Sequence, residues 1–332
     1  MLNAGILGLG WWGRTIVDTL RDSPAMRVVA GVDPAPHAAA EAARLGIRHA
    51  ASLEDLLADP AIHAVILCTP HTQHPAQIIM AANAGKHVFC EKPLCLTLAQ
   101  ARQAVAACQR NHVTLAVGHE RRFEPAIDDV RRLIADGRLG ALLQMEGNFS
   151  QDKFLTLARD NWRLSPIEAP AGPMTATGIH LLDLAVSFFG PAEQAYVQVA
   201  QLGSDLSNGD TLAAMIRFRS GPTALLSAIL ATPFDGRLAL YGSKGWVEIR
   251  DKTHPEAPEG WTLTVSLRGE PRVVTDYPPS PSVRANLEAF AAAAIGGAPY
   301  PMKQAQMLAT VAALEAVFRS SRSLTIEPVE PV

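Results

Sequence analysis

For its first 120 residues the chain alternates short apolar runs with helically spaced segments. Ala4–Leu7, Arg27–Val32, Ala64–Cys68, His87–Cys90 and Val113–Val117 are apolar runs of strand length. Between them Trp12–Arg21 spaces Ile16, Val17 and Leu20 along one helical face, and the Ala-rich stretch Pro36–Leu45 closes on Gly46. Ser52 with Asp55 reads as an N-cap and its partner ahead of Leu56 and Leu57. Pro75 suits the first residue of a helix that Gly85 ends, and Thr97–Arg110 is the next helix. Strands separated by helices at this interval predict a parallel sheet covered on both faces.

The pattern changes at about Phe123. One helix, Pro125–Ile134, is followed by strand-like runs at Leu142–Phe149, Ala195–Leu202, Leu212–Phe218, Thr223–Leu230, Leu238–Tyr241, Trp246–Ile249 and Thr262–Leu267. A single helix, Ile179–Phe189, interrupts them, and Val283–Ile295 and Gln304–Arg319 are terminal helices. Residues 255–260 and 278–282 read as loops. Consecutive strands predict a largely antiparallel sheet, hence an α+β second domain. Ala224-Leu225-Leu226 and Ile229-Leu230 are apolar at both alternating positions, which asks for cover on both faces: helices on one, another subunit on the other. The expected architecture is a doubly wound α/β domain over residues 1–122 and an α+β domain with a large, mostly antiparallel open sheet over 123–332.

Composition narrows this picture. The 332 residues are 48% hydrophobic and 18% charged, enough for two domains at about 150 residues each. With 29 Lys and Arg against 32 Asp and Glu, the net charge of −3 supplies no footprint for nucleic acid. The basic pairs Arg121-Arg122 and Arg131-Arg132 have acidic neighbours and read as solvated or locally paired. Cys68, Cys90, Cys95 and Cys108 lack CxxC spacing and are expected to be reduced and mostly buried. The N-terminus has no signal-peptide pattern, and no run of about 18 apolar residues occurs. These features point to a soluble, cytoplasmic protein with neither nucleic acid nor membrane as partner.

Gly8-Leu9-Gly10-Trp11-Trp12-Gly13 is a GxGxxG motif between the first strand and the first helix. The first Gly permits the turn, the second admits a pyrophosphate, and the third lets helix pack on strand, with the helix N-terminus favouring the anion. The bland reading is a tight turn without ligand. Asp33 ends the second strand, where a carboxylate accepts from ribose hydroxyls and repels a 2′-phosphate. That placement makes the first domain a Rossmann domain and favours NAD, although His37 and Arg44 leave NADP possible. His71 and His74 form an HxxH pair without the third and fourth ligands a metal site needs. They are expected to line the cofactor crevice or cap the helix at Pro75, and no metal is expected.

Thr69-Pro70-His71-Thr72-Gln73-His74, Glu91-Lys92-Pro93, Gly118–Phe123 (GHERRF) and Gly178-Ile179-His180 together resemble the Gfo/Idh/MocA family of NAD(P)-dependent oxidoreductases. The likeness continues through Trp162-Arg163 to Asn286, Phe290 and Pro301. It implies a Rossmann domain joined to a large open sheet, hydride transfer on sugars, polyols and related hydroxy or carbonyl compounds, and homodimers or homotetramers formed through that sheet. It also implies a cis Lys92–Pro93 bond, and a catalytic or substrate-binding role for His180. Gly8, Gly10, Trp11, Trp12, Gly13, Asp33, Thr69, Pro70, His71, His74, Glu91, Lys92 and Pro93 become the cofactor-side candidates. On the substrate side stand Lys92, Arg121, Arg122, Trp162, Arg163, Thr177 and His180, with Asp152 and Lys153 as further candidates.

Lys92 sits beyond the carboxyl end of a parallel strand, where it can stabilise charge on a reacting oxygen, and His180 is a natural proton acceptor. Taken alone, each also reads as an ordinary loop lysine or helix-start histidine. The chain departs from the commoner family pattern in one respect. An Asp four residues before the His is replaced by Ala176, flanked by Thr175 and Thr177. Asp183 either orients the imidazole or is a structural acid. Three functions remain: a sugar or polyol oxidoreductase, a cyclic dihydrodiol dehydrogenase, and a catalytically silent NAD-binding sensor.

Overall fold

The computed structural model describes residues 1–254 and 258–332, so the loop expected over 255–260 lies outside the described residues at 255–257. The chain forms two compact units. One comprises Met1–Glu120 with Pro281–Met307, the other Arg121–Ser280 with Leu308–Val332.

The first unit contains β1 (Leu2–Leu7), α1 (Trp11–Thr19), β2 (Met26–Val32), α2 (Ala38–Leu45), β3 (Arg48–His49), α3 (Leu53–Ala58), β4 (Ala64–Leu67), α4 (His74–Asn83), β5 (His87–Cys90), α5 (Leu98–Arg110) and β6 (Leu115–Val117). Its six strands pair in parallel in the order β3-β2-β1-β4-β5-β6, the doubly wound arrangement whose strand order reverses beside β1. β4 is buried at every position, as a parallel strand covered on both faces must be. Local signals behave as read: Ser52 accepts from the Asp55 N–H, Thr97 caps α5 through the Gln100 N–H, and Gly46 closes α2 at φ +73°.

The second unit contains α6 (Pro125–Ala135), β7 (Leu142–Ser150), α7 (Ile179–Phe189), β8 (Ala192–Ala200), β9 (Thr211–Phe218), β10 (Thr223–Ile229), β11 (Asp235–Gly242), β12 (Gly245–Asp251), β13 (Trp261–Leu267) and β14 (Val273–Tyr277). After α8 (Ser282–Ala294), the chain ends in α9 (Gln304–Ser323) and β15 (Glu327–Pro328). The nine strands run β14-β13-β12-β11-β7-β10-β9-β8-β15, all antiparallel except the β7–β10 pair. β9 buries Leu212, Ala214, Ile216 and Phe218 on one face but leaves Met215 42% exposed on the other; β10 leaves Leu225 41% exposed. Apolar residues therefore do stand on both faces, and among the described residues Met215 and Leu225 stay exposed on the second.

The domain boundary expected at residue 122 treats everything after it as one block, whereas 281–307 clusters with the first unit. The cause is packing. Leu287, Phe290 and Ala291 of α8 join the core made by Ile6, Ile66 and Phe89, with the Phe290 and Phe89 rings edge to face at 5.8 Å. Asn286 Nδ2 and the Tyr300 hydroxyl both donate to the Val117 carbonyl at the end of β6.

Candidate active site

The first unit builds its part of the site mostly from backbone. Gly8 sits at φ +93°, and a Cβ there would lie 2.6 Å from the Cys68 carbonyl oxygen. At Gly13 a Cβ would fall 1.9 Å from the Gly8 carbonyl oxygen, so the turn and α1 close only on glycine. Gly10 meets nothing within 4 Å where its Cβ would project, and as N-cap of α1 it contributes no side-chain hydrogen bond. The first-turn N–H groups of α1 are thus left for an anion in open space, which fits a dinucleotide pyrophosphate. Asp33 accepts from the Leu9 N–H at 2.7 Å and the Ala35 N–H at 2.8 Å. These bonds fix its carboxylate against the glycine turn while each oxygen keeps a second lone pair for ribose hydroxyls. Trp11 is exposed beside this turn, and Trp12 packs on the core of the unit.

Two loops follow the carboxyl ends of β4 and β5. Thr69 donates its hydroxyl to Gln77 Oε1, Pro70 leads into a short turn, and His71 and His74 are both buried. Within the HxxH pair, His74 does not offer its nitrogens as ligands. His74 Nδ1 lies 2.9 Å from the Pro93 carbonyl oxygen and Nε2 3.0 Å from that of Thr69. This corrects the expectation that His74 faces the cofactor, since both of its polar atoms are committed to backbone. Among the described residues, no group of three or more His, Cys, Asp or Glu side chains is placed to hold a metal ion. After β5, Glu91 is buried with Oε2 accepting from the Lys92 N–H, and its carboxylate lies where a Cβ on Gly118 would have to be. The Gly of GHERRF therefore makes room for the Glu of Glu-Lys-Pro. The Lys92–Pro93 bond is cis.

In the second unit the site is made of side chains. Arg121 and Arg122, expected to face substrate, are instead buried structural cations. Arg121 is 2% exposed and bridges Asp251, at 2.7 and 2.9 Å, and Glu124, at 3.1 Å. Burial alone would lower its pKa, but the two carboxylates outweigh that and raise it. Arg122 grips both carboxylate oxygens of Asp183, at 2.6 and 2.8 Å, and Thr310 also donates to Asp183. A buried guanidinium needs such partners, so neither is presented outward. Arg122 and Thr310 thus tie Asp183 into the buried framework of the unit. Thr177 is corrected as well, because its buried hydroxyl donates to the Phe149 carbonyl at 2.7 Å.

His180 lies in the first turn of α7, 6% exposed, just after the π-helical turn Met174–Gly178. Its ring is 5.8 Å from that of Phe149. Phe149 also meets Phe234 at 6.1 Å and His254 at 5.9 Å, and the Arg121 guanidinium lies over it at 5.5 Å. The His254 Nδ1 is 3.0 Å from Lys153 Nζ, a donor, so this nitrogen is unprotonated. Burial first, then the charges of Lys153 and Arg121, push the His254 pKa down to about 4. Phe149 thus has a neutral imidazole, that of His254, and the His180 ring among its neighbours. Ala176, at the position where the commoner family pattern has an Asp, packs on the apolar cluster of Leu164, Leu206 and Leu230. Arg163 stacks on Trp162 at 4.3 Å, and Asn208 Nδ2 donates to the Arg163 and Ala169 carbonyls, each at 2.8 Å. Phe149, Phe234, His254 and Asn208 carry no sequence motif. The first three meet beside the β7–β11 pairing, in which Phe149 stands opposite Gly236.

Comparison with known proteins agrees with both halves of this description. Residues 2–119 match the model of an oxidoreductase family with an NAD-binding Rossmann fold, and 127–248 match that of the GFO/IDH/MocA C-terminal domain. The chain is similar to scyllo-inositol 2-dehydrogenase (NAD(+)) of Bacillus subtilis, at 32% identity over 76% of this chain and 75% of that protein. It is also similar to D-xylose 1-dehydrogenase (NADP(+)) 2 of Haloferax volcanii, at 26% identity over 96% and 97%. Among solved structures, aldose-aldose oxidoreductase from Caulobacter crescentus, complexed with glycerol, superposes with a TM-score of 0.86 at 25% identity over 98% and 99% of the two chains.

Proposed function

The chain belongs to the Gfo/Idh/MocA oxidoreductase family, and from that premise we propose that it oxidises a carbinol carbon, or reduces the matching carbonyl, of a sugar, polyol or related cyclic hydroxy compound. The family is one of NAD-binding oxidoreductases, and no helix among the described residues is long and apolar enough to cross a membrane. The observation that carries the proposal is the first unit's crevice. An uncapped helix end, the Asp33 carboxylate and Lys92 all stand beyond the carboxyl ends of one parallel sheet.

Bound NAD would supply the two-electron acceptor, held by Gly8, Gly10 and Gly13 at its pyrophosphate and by Asp33 at its adenosine ribose. Asp33 favours NAD over NADP because a 2′-phosphate would meet its charge. Lys92 polarises the reacting oxygen and stabilises the negative charge that grows there. His180 takes the hydroxyl proton on its imidazole nitrogen as general base. Trp162, Arg163 and Lys153 contact the rest of the substrate. The open sheet face, with exposed Met215 and Leu225 beside Arg237 held between Glu146 and Glu248, is the surface we assign to a second copy of the chain. A cytoplasmic setting suits the buried thiols Cys90, Cys95 and Cys108, whose pKa burial raises.

The test is the change in nicotinamide absorbance over a panel of sugars, polyols, cyclic diols and ketones with NAD and with NADP. Turnover on a sugar or polyol, faster with NAD, is expected. Catechol formed from a dihydrodiol would move the reaction to that substrate class, and tight NADH binding without turnover would make the protein a sensor. His180→Ala should remove the corresponding limb of the pH–rate profile; an unchanged profile would exclude His180 as proton acceptor.

A further inference from the structure

One buried titratable group in the first unit has no part in the chemistry above. His74 begins α4 with a ring fully shielded from solvent, its two nitrogens 2.9 and 3.0 Å from the carbonyl oxygens of Pro93 and Thr69. A carbonyl oxygen only accepts, so each contact needs a proton on its nitrogen, whereas a neutral imidazole carries one. Turning the ring over would aim ring carbons at the same oxygens, which leaves the conflict unsolved. Elsewhere in this unit the pattern is reversed. His63 Nδ1 and His87 Nδ1 accept from the backbone N–H groups of Asn3 and Thr114 and are therefore unprotonated at those atoms.

The two carbonyls bound by His74 belong to different loops. Thr69 follows β4, and Pro93 follows β5 with its nitrogen bonded to the Lys92 carbonyl carbon. We propose that His74 is a positioning residue: a buried imidazolium that clasps the β4 and β5 loops and so sets where Lys92 stands at the carboxyl end of the sheet. The inference rests on the dehydrogenase reading for what Lys92 does, but not for the charge on the ring. Burial opposes that charge, and two charge-assisted hydrogen bonds offset the opposition. The ring of His71 approaches at 5.8 Å, edge to face.

The experiment has two arms. In protein labelled with 15N at histidine, the His74 ring signals, assigned by their loss in His74→Gln, should show both nitrogens protonated at neutral pH; one unprotonated nitrogen overturns the imidazolium. In the second arm, His74→Phe and His74→Gln are compared with the unsubstituted protein for NADH binding by fluorescence and for kcat and KM on the substrate found in the panel. A misplacement of about 1 Å costs on the order of 100-fold in rate. The Phe variant is therefore expected to lose kcat by about that factor with NADH affinity held within about threefold, and Gln, which retains one amide donor, to fall between. Unchanged kcat overturns the proposal, as does a parallel loss of kcat and NADH binding, which would mean general damage to the crevice. Should the Phe variant not fold, Gln and the ring spectrum decide. An unsubstituted protein that turns over nothing sinks the dehydrogenase reading and the positioning role with it, while the spectrum still reports the charge.

Discussion

The two units reach a site by different physical routes. In the first, the recognition surface is backbone: a glycine turn, a helix end and two strand-end loops, with Asp33 locked to the turn it serves. In the second it is a set of side chains gathered around Phe149 of β7 from the first turn of α7 and the segments flanking β11 and β12. A backbone site survives most side-chain changes but fails at a single glycine. A side-chain site depends instead on buried charges that hold its framework, and the largest expected effect lies there. Arg122→Met would strand the Asp183 carboxylate in the core and should cost about 3–5 kcal/mol of stability, read by urea unfolding. The double variant Arg122→Met with Asp183→Leu should recover most of that loss. If the single variant is near neutral, the pair is not a framework element and the contrast between the units weakens.

Next in size is an effect on rate in the first unit. Lys92→Met keeps the length of the side chain and removes its charge. Losing one preorganised donor to a developing oxyanion costs about 100- to 1,000-fold in kcat. NADH affinity and unfolding should stay close to those of the unsubstituted protein, because the proposed pyrophosphate and ribose contacts come from the glycine turn and Asp33. Full turnover in this variant would remove Lys92 from the mechanism. Loss of NADH binding would show that the cofactor site depends on a side chain after all.

The difference in construction also explains what could be read in advance. Gly8, Gly13 and Asp33 each have a reason of local geometry to stand where they do, so their spacing is legible in the sequence. The same holds for Ser52, Thr97 and Gly46, whose caps are visible in four or five residues. For Arg121 the local partner Glu124 is legible in the sequence, but Asp251 and the Asp183 that holds Arg122 lie 130 and 61 residues away, where spacing gives no sign of them. β14 was missed since all but its last residue are exposed, leaving no apolar alternation to follow, and β3 and β15 are only two residues long. The placement of α8 in the first unit likewise depends on tertiary packing of Phe290 against Phe89, which no periodicity announces.

A third test concerns the loop 201–210, again in the second unit. Asp210 is fully buried and accepts from the N–H groups of Leu202, Gly203 and Ser204 and from the hydroxyls of Ser204 and Thr211. Burial would raise its pKa, but the hydrogen bonds from Leu202, Ser204, Thr211 and Gly203 outweigh this and bring it down to about 2. The carboxylate is near 3.8 when unfolded, so its contribution, about 2 kcal/mol, is fully present above that value and lost as pH falls toward 2. Asp210→Asn should cost a similar amount at neutral pH and flatten the acid limb of the stability curve. This loop carries Asn208, which holds the Arg163 and Ala169 carbonyls, so the variant should also raise KM for substrate while leaving NADH binding in place.

The smallest expected effect bears on His254, the histidine that no motif marks. In the unfolded chain it titrates near 6.5 and in the folded one near 4, so between those values the unfolded state holds more protons. Its contribution is complete above about 6.5 and is lost as pH falls through about 4. Thermal midpoints should therefore decline on acidification across that window, and His254→Gln, which cannot take up a proton, should decline less. Lys153→Met removes one of the charges that hold the His254 pKa down, so the decline should still begin near 6.5 but level off at a higher pH and be smaller. Since Lys153 and His254 both belong to the second unit, NADH binding at the first unit's glycine turn should follow neither substitution. If it does, the division of labour between a backbone-built cofactor site and a side-chain-built substrate site fails at this point.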